Sequence, residues 1–192
     1  MRQPRALALL GVPLDHNSSF LRGPAEGPAA IRAALHCGAA NLSAESGVDF
    51  ETDGLLVDAG DVAIAEAADC FAVIRAAAAT ELASGRRLLS LGGDHSITSA
   101  LVAAHEEFFP QLSILHFDAH PDLYEAYEGN RSSHASPFAR IMERGRVRQL
   151  VQVGIRTLND HQHAQARRYG VMVPAWTTST PGTSSCRAGR CT

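Results

Sequence analysis

The sequence predicts an α/β protein of three layers, in which a mainly parallel sheet lies between helices. Short runs that are apolar almost throughout alternate with longer helical stretches, and polar side chains gather directly after two of these runs. Continuous apolar runs are typical of parallel strands that are covered on both faces. The alternation of strand and helix favours a parallel sheet over an antiparallel one.

Five apolar runs are predicted to form buried strands, and a last strand is expected near Val171–Val173. None of the five shows the polar alternation of a half-exposed strand, which supports burial on both faces. The five runs are Ala6–Val12, Leu55–Val57, Arg87–Leu91, Leu112–Phe117 and Leu150–Val153.

Four stretches between these runs are predicted to be helical: 26–40, 65–85, 96–108 and 136–145. The second is rich in alanine and ends at Gly85. The fourth begins at Ser136, an N-cap residue, with Pro137 in the first helical position.

Composition excludes several classes of partner. The chain has 192 residues and a formal net charge of -3 without a long run of one sign, which argues against nucleic acid or an anionic membrane as the main partner. The start, "MRQPRALALLGVPL", is interpreted as a buried strand, with a short signal peptide as the alternative. The cysteines suggest no disulfide framework, so we predict a cytoplasmic protein; they are Cys37, Cys70, Cys186 and Cys191.

Two segments concentrate ligand-type side chains at strand ends. In "LLSLGGDHSIT" a strand runs into Gly92-Gly93 and then His95, and the glycines permit a sharp turn and close backbone approach. In "ILHFDAHPD" the strand ends near Phe117 and three candidate ligands follow. If the chain stays extended, alternation places Asp118, His120 and Asp122 on one side.

These side chains predict a metal site. Ligands in open α/β sheets bind beyond the carboxyl ends of the strands, so both segments point to one crevice. Imidazole and carboxylate without thiolate favour Mn, Co, Ni or Fe(II) over structural zinc. The alternative for the second segment alone is a polar turn.

Together, "LGGDHSIT" and "HFDAHPDLYE" resemble the ureohydrolases, the family of arginase, agmatinase and guanidinobutyrase. "GVPLDHNSSFLRGPAEGPAAIR" (11–32) and "VGIRTL" (153–158) are also similar, and the similarity runs from about residue 8 to about 170. The resemblance is greater to the agmatinase-like branch than to arginase. It implies an arginase-like fold and a manganese enzyme with two ions that hydrolyses a small guanidino compound to urea and an amine.

The resemblance also implies roles for individual residues. His95 and Asp122 would bind one ion, His120 the other, and Asp118 would bridge both. His134 lies where the family has a histidine that handles protons near the substrate; the alternative is a surface histidine before a helix. Asp94 is expected to support its neighbours as a hydrogen-bond acceptor.

Part of the family pattern is missing. A further strand end, roughly S-x-D-x-D-x-x-D-P, and a later glutamate do not occur, and no Asp or Glu follows Asp160. We therefore expect residues 1–172 to be the N-terminal portion of a single ureohydrolase domain, incomplete at the C-terminus. We expect 173–192 to be an aberrant, disordered tail, either from a reading-frame shift near 172–176 or by natural divergence.

Three functional hypotheses remain open. The first is a guanidino hydrolase of agmatinase type, impaired in this chain. The second is a degenerate, non-catalytic family member that binds metal or an intact homologue. The third is a related C–N hydrolase such as formimidoylglutamase or guanidinobutyrase. The resemblance implies a homo-oligomer, a trimer or hexamer, for the intact family.

Overall fold

The computed structural model describes residues 6–50, 52–64 and 69–174. Strands and helices alternate along these residues, as the sequence predicts. In chain order the elements are β1 (Leu7–Val12), a 3-10 turn (Pro24–Glu26), α1 (Gly27–Leu35), β2 (Leu56–Asp61), α2 (Cys70–Ala83), β3 (Arg87–Gly92), α3 (Ile97–Phe108), β4 (Ser113–Phe117), α4 (Pro137–Glu143), β5 (Gln149–Val153) and α5 (Asp160–Tyr169).

The first sheet has three parallel strands in the order β2-β1-β3. Its central strand carries side chains to two helical layers, because successive residues of a strand face opposite sides. Leu10 and Val12 join a core formed with α2 and α3, whereas Gly11 lies against Arg32 of α1. The three-layer α/β arrangement predicted from the apolar runs is therefore confirmed here.

Strand β2 is longer than predicted and continues to Asp61. Its polar end is held by Arg32, whose guanidinium bonds both carboxylate oxygens of Asp58, at 2.8 and 3.0 Å, and the carboxylate of Asp61. The hydrogen bond from Arg32 holds the pKa of Asp58 below its usual value. This ion pair ties α1 to the end of β2, a contact that an apolar pattern does not reveal.

The second sheet consists of the parallel pair β4 and β5. One of its faces packs against α4 and α5 through a core that includes Phe138, Ile141 and Leu150. On the opposite face, the side chains of Leu115 and Phe117 are 60% and 71% exposed. We predicted one sheet; within the described residues the strands form two, because β3 and β4 do not pair with each other.

Helix boundaries differ most from the prediction at the end of the first helix and the start of the second. The first helix ends at Leu35 rather than at residue 40, because residues 36–40 are exposed and no packing stabilises a further turn. The predicted second helix begins within 65–68, which lie outside the described residues; α2 starts after Asp69, whose carboxylate accepts a hydrogen bond from the Ala72 N–H.

Helix α5 was not predicted from the sequence. Its residues, DHQHAQARRY, are almost all polar and offer a weak hydrophobic pattern. Its ends nevertheless carry local signals: the Asn159 side chain accepts a hydrogen bond from the Gln162 N–H, and Gly170 adopts a left-handed conformation after the last turn.

Most of the tail predicted at 173–192 lies outside the described residues. Before it, Met172 forms a single parallel bridge with Val151 where a last strand was expected. No helix within the described ranges is long and apolar enough to span a membrane.

Candidate metal centre

The turns after β3 and β4 bring their polar side chains together. His95 lies between β3 and α3, and Asp122 lies in the loop after β4. The Nδ1 atom of His95 is 2.7 Å from Oδ2 of Asp122. The prediction that both strand ends point into one crevice therefore matches the structure.

The loop from Asp118 to Asp122 does not remain extended. Asp122 is buried and has a φ of 48°, in the left-handed region that few non-glycine residues occupy. Such backbone conformations persist where the surrounding structure holds them and are frequent at functional sites. The turn, rather than strand alternation, brings Asp122 back to His95.

Four side chains form a compact group. Each offers one ligand atom, and these atoms lie within 4.8 Å of one another; the residues are His95, His116, Asp118 and Asp122. Three of the four were singled out from the sequence, and His116 was missed. A signal was available, because His116 precedes Asp118 by two residues at the strand end and so faces the same side.

His120 occupies a different position from the compact group. Its side chain is 62% exposed. The backbone N–H of His120 donates to Oδ1 of Asp118 at 2.8 Å, and its Nδ1 lies 3.2 Å from the same oxygen. His120 thus contacts Asp118 from the solvent side, and its predicted place as a ligand stays a prediction.

A cavity of about 390 Å³ opens above these side chains. His134 lies in its wall, and Nε2 of His134 is 2.8 Å from the hydroxyl of Ser19. The residues that line the cavity come from both halves of the described chain. They are Ser19, His95, Asp118, His120, Asp122, Tyr124, Tyr127, His134, Ala135, Thr157 and Gln162.

Asp94 supports the site from beneath, as the sequence predicts. Its buried carboxylate accepts hydrogen bonds from the backbone N–H groups of Asn17, at 3.0 Å, and Ser96, at 2.9 Å. The carbonyl of Asn17 in turn accepts from the N–H of His134 at 3.2 Å. The motif that carries His95 therefore also fixes the loop against which His134 rests.

Electrostatics keep the acid charged and the neighbouring histidine neutral. Burial raises the pKa of Asp118, but the hydrogen bond from the His120 backbone and the nearby His116 and His95 outweigh it, so the net shift is downward. Burial also lowers the pKa of His116, with His95 adding to this effect. A charged carboxylate attracts a cation, and the neutral His116 beside it adds no opposing charge.

Comparison with known proteins identifies the family. The sequence profile of the arginase family matches residues 5–179, most of the chain. The chain belongs to the arginase family. The predicted assignment to the ureohydrolases is thereby confirmed.

Among arginase-family proteins, mitochondrial arginase 1 of Oryza sativa subsp. japonica is 48% identical over 172 residues, which is 85% of this chain and 51% of the relative. The N(1)-aminopropylagmatine ureohydrolase of Thermus thermophilus is 39% identical over 166 residues, covering 86% of this chain and 56% of the relative. The chain therefore spans about half the length of the curated relatives it matches.

Two solved structures share the fold of this chain. The arginase from Medicago truncatula superposes with a TM-score of 0.81 at 44% identity, over 88% of this chain and 56% of that one. Formimidoylglutamase from Bacillus subtilis gives a TM-score of 0.78 at 29% identity, over 88% and 55% of the two chains.

The donor set of this arginase-family chain fits a metal ion. His95 Nδ1 and Asp122 Oδ2 are near enough to ligate the same ion, and Asp118 lies within the same group. Imidazole and carboxylate suit Mn²⁺ and other ions that are harder than those bound by thiolates. Asp118, His120 and Asp122 are all accessible from the cavity, so an ion could enter.

Proposed function

We propose that this chain is part of a manganese-dependent hydrolase that cleaves a small guanidino compound into urea and an amine. The reaction is R–NH–C(NH₂)₂⁺ + H₂O → R–NH₃⁺ + OC(NH₂)₂. The observation that carries the proposal is the convergence of His95, Asp118 and Asp122 beneath a cavity whose wall contains His134.

Each residue has a distinct task in this proposal. His95 and Asp122 would hold one Mn²⁺, His120 a second, and Asp118 would lie between the two. Bound Mn²⁺ supplies a Lewis acid that activates water and stabilises developing negative charge.

His134 would move a proton to the leaving amine. Its Nε2 lies 2.8 Å from the Ser19 hydroxyl, and both residues line the cavity that Asp118 and Asp122 also line. A histidine in the wall of the cavity can donate a proton to a bound substrate or accept one from it. The cytoplasmic location of the protein, which we predicted from its cysteines, also stays a prediction.

Four compounds are candidate substrates. An agmatine-like compound is the first candidate, from the sequence motifs and the Thermus relative. L-arginine is the second candidate, favoured by the 48% identity to a plant arginase. Formiminoglutamate and guanidinobutyrate complete the set of C–N substrates to compare.

The test is a Mn²⁺ titration of the 192-residue chain by calorimetry, with urea release measured on the three guanidino compounds and formamide release measured on formiminoglutamate. Asp118→Asn should abolish tight binding, because it removes the charge shared by the site. His163→Gln, on the exposed side of α5, is the matched control and should bind as the unaltered chain does. Because two implied acidic ligands are missing, we expect fewer than two ions per chain and very low urea release.

The outcomes separate the hypotheses. Metal binding that depends on Asp118, with any urea released, supports the hydrolase. Stoichiometric binding with product release no greater than that of Asp118→Asn supports the non-catalytic family member. Two ions per chain with ordinary turnover would contradict the expected impairment.

A further inference from the structure

Two buried polar residues, one of them a member of the compact group, lie on the strand side of the candidate metal centre. His116 on β4 and Gln152 on β5 are direct neighbours in the parallel register. Both side chains are buried, and neither lines the cavity described above. Buried polar groups are held by specific hydrogen bonds, and here those bonds determine the chemistry of His116.

The orientation of the Gln152 amide follows from one contact. Its Nε2 lies 2.7 Å from the carbonyl oxygen of Pro121. A carbonyl oxygen only accepts hydrogen bonds, so the group facing it must be the amide nitrogen; a flipped amide would set two acceptors against each other. Gln152 therefore presents N–H donors at this point.

The second N–H of Gln152 determines where the proton of His116 lies. The same Nε2 is 3.1 Å from Nδ1 of His116. Because the amide donates, Nδ1 must accept, and the ring proton must be on Nε2 of a neutral imidazole. The Phe138 ring, 4.2 Å from the His116 ring between centroids, packs against it and restricts its rotation.

The Nε2–H group of His116 faces Asp118. It lies 3.4 Å from Oδ2 of that carboxylate, a contact that is not yet a hydrogen bond, and no other residue that the structure describes accepts a hydrogen bond from it. The other oxygen, Oδ1, already accepts from the His120 backbone N–H. A nitrogen that carries a proton has no free lone pair for a metal, so His116 belongs to the compact group without being a ligand.

We propose that Gln152 and His116 are positioning residues for Asp118. Gln152 holds His116 in the Nε2–H tautomer, and His116 directs one oxygen of Asp118 while staying outside the ligand set. The metal-affinity part of this inference rests on the proposed function, because it takes Asp118 as a ligand. The tautomer part does not depend on metal.

The first experiment tests the tautomer in the metal-free 192-residue chain. Nitrogen-15 NMR of labelled histidine distinguishes Nδ1–H, Nε2–H and doubly protonated rings, and the His116 signal is assigned by its loss in His116→Gln. We expect Nε2–H. In Gln152→Glu the new carboxylate accepts a hydrogen bond, so Nδ1 should carry a proton. A proton on Nδ1 in the unaltered chain would overturn the proposal whether or not metal binds.

The second experiment measures Mn²⁺ affinity by calorimetry. Gln152→Leu and His116→Leu should weaken binding about 10–100-fold, the usual effect of removing a group that orients a metal ligand. His116→Gln should retain most of the affinity, because its amide nitrogen can still donate to Asp118. Gln165→Leu is the matched control, a buried glutamine on α5 outside the site, and should leave the affinity unchanged.

Circular dichroism melts separate positioning from folding. A purely structural role would lower the melting temperature of Gln152→Leu while leaving the affinity of the folded fraction unchanged, and that result refutes the proposal. Loss of affinity in both leucine variants with rescue by His116→Gln supports it. If the unaltered chain binds no Mn²⁺, the proposed function fails, and the NMR result alone decides the positioning pair.

Discussion

Gly93 provides a sharp test of how the strand end that carries His95 is built. A Cβ atom at this position would lie 2.0 Å from the Leu14 carbonyl oxygen and 2.7 Å from that of Val12. Non-bonded carbon atoms in contact lie about 3.5–4.0 Å apart, so Gly93→Ala requires a backbone shift of more than about 1 Å. No flexible side chain can relieve this contact, since the opposing atoms are backbone.

Two costs add in Gly93→Ala. Overpacking in a well-packed region costs about 1–3 kcal/mol. The shift also stretches two backbone hydrogen bonds, from Gly93 N–H to Val12 at 3.2 Å and from Asp94 N–H to Leu14 at 2.7 Å. At about 0.5–1.5 kcal/mol each, they bring the expected loss to about 2–6 kcal/mol, a large part of the about 5–15 kcal/mol of a typical domain.

The assay is urea unfolding analysed by linear extrapolation, in which a change of midpoint at constant slope reports stability. Gly38→Ala is the matched control: nothing lies within 4 Å of the point that a Cβ atom would occupy there, so it should be neutral or gain about 0.4–1 kcal/mol through the unfolded state. A Gly93→Ala chain within about 0.5 kcal/mol of the unaltered chain would refute the close approach.

Three further perturbations test the surrounding structure. Arg32 lowers the pKa of Asp58, so the ion pair stabilises the folded chain fully above the unfolded-state pKa of about 4, and this stability is lost as pH falls through the lower pKa of the folded state. Asp58→Asn should therefore reduce the dependence of the free energy of unfolding on pH in the acid range. An unchanged pH dependence would contradict the ion pair. Arg144→Met removes the ion-pair partner of Glu106, whose side chain is only 2% exposed, and should lower the free energy of unfolding by about 3 kcal/mol in urea. Adding Glu106→Gln should recover much of this loss. Equal losses in the single and double variants would count against an interaction between Arg144 and Glu106. Phe138→Ala should cost about 3–5 kcal/mol and weaken Mn²⁺ binding, because this ring packs on both His95 and His116; full affinity in the folded variant would show that the ring does not position them.

Most strands and helices could be predicted from the sequence because the patterns that indicate them are local. The apolar runs predicted all five strands, and the Ser-Pro pair at 136–137 placed α4 within a residue or two, although the Ser136 side chain makes no capping hydrogen bond. Helix α5 was not predicted because its sequence is polar throughout, and two of its three buried side chains are glutamines rather than apolar residues. The division of the strands into two sheets could not be predicted either, because the pairing of two strands depends on distant parts of the chain and not on the sequence of either strand alone.

The candidate metal centre, like the fold, could be predicted from the sequence only in part. Residue type and position after an apolar run are local properties, so the amino-acid order was enough to identify His95, Asp118 and Asp122 as ligand-type side chains at strand ends. The folded chain was needed to show that Asp122 turns back to His95, that His120 stays exposed, and that the Gln152 amide sets the proton of His116. Those outcomes depend on contacts between residues up to 36 positions apart, and the distance between such groups exists only once the chain has folded.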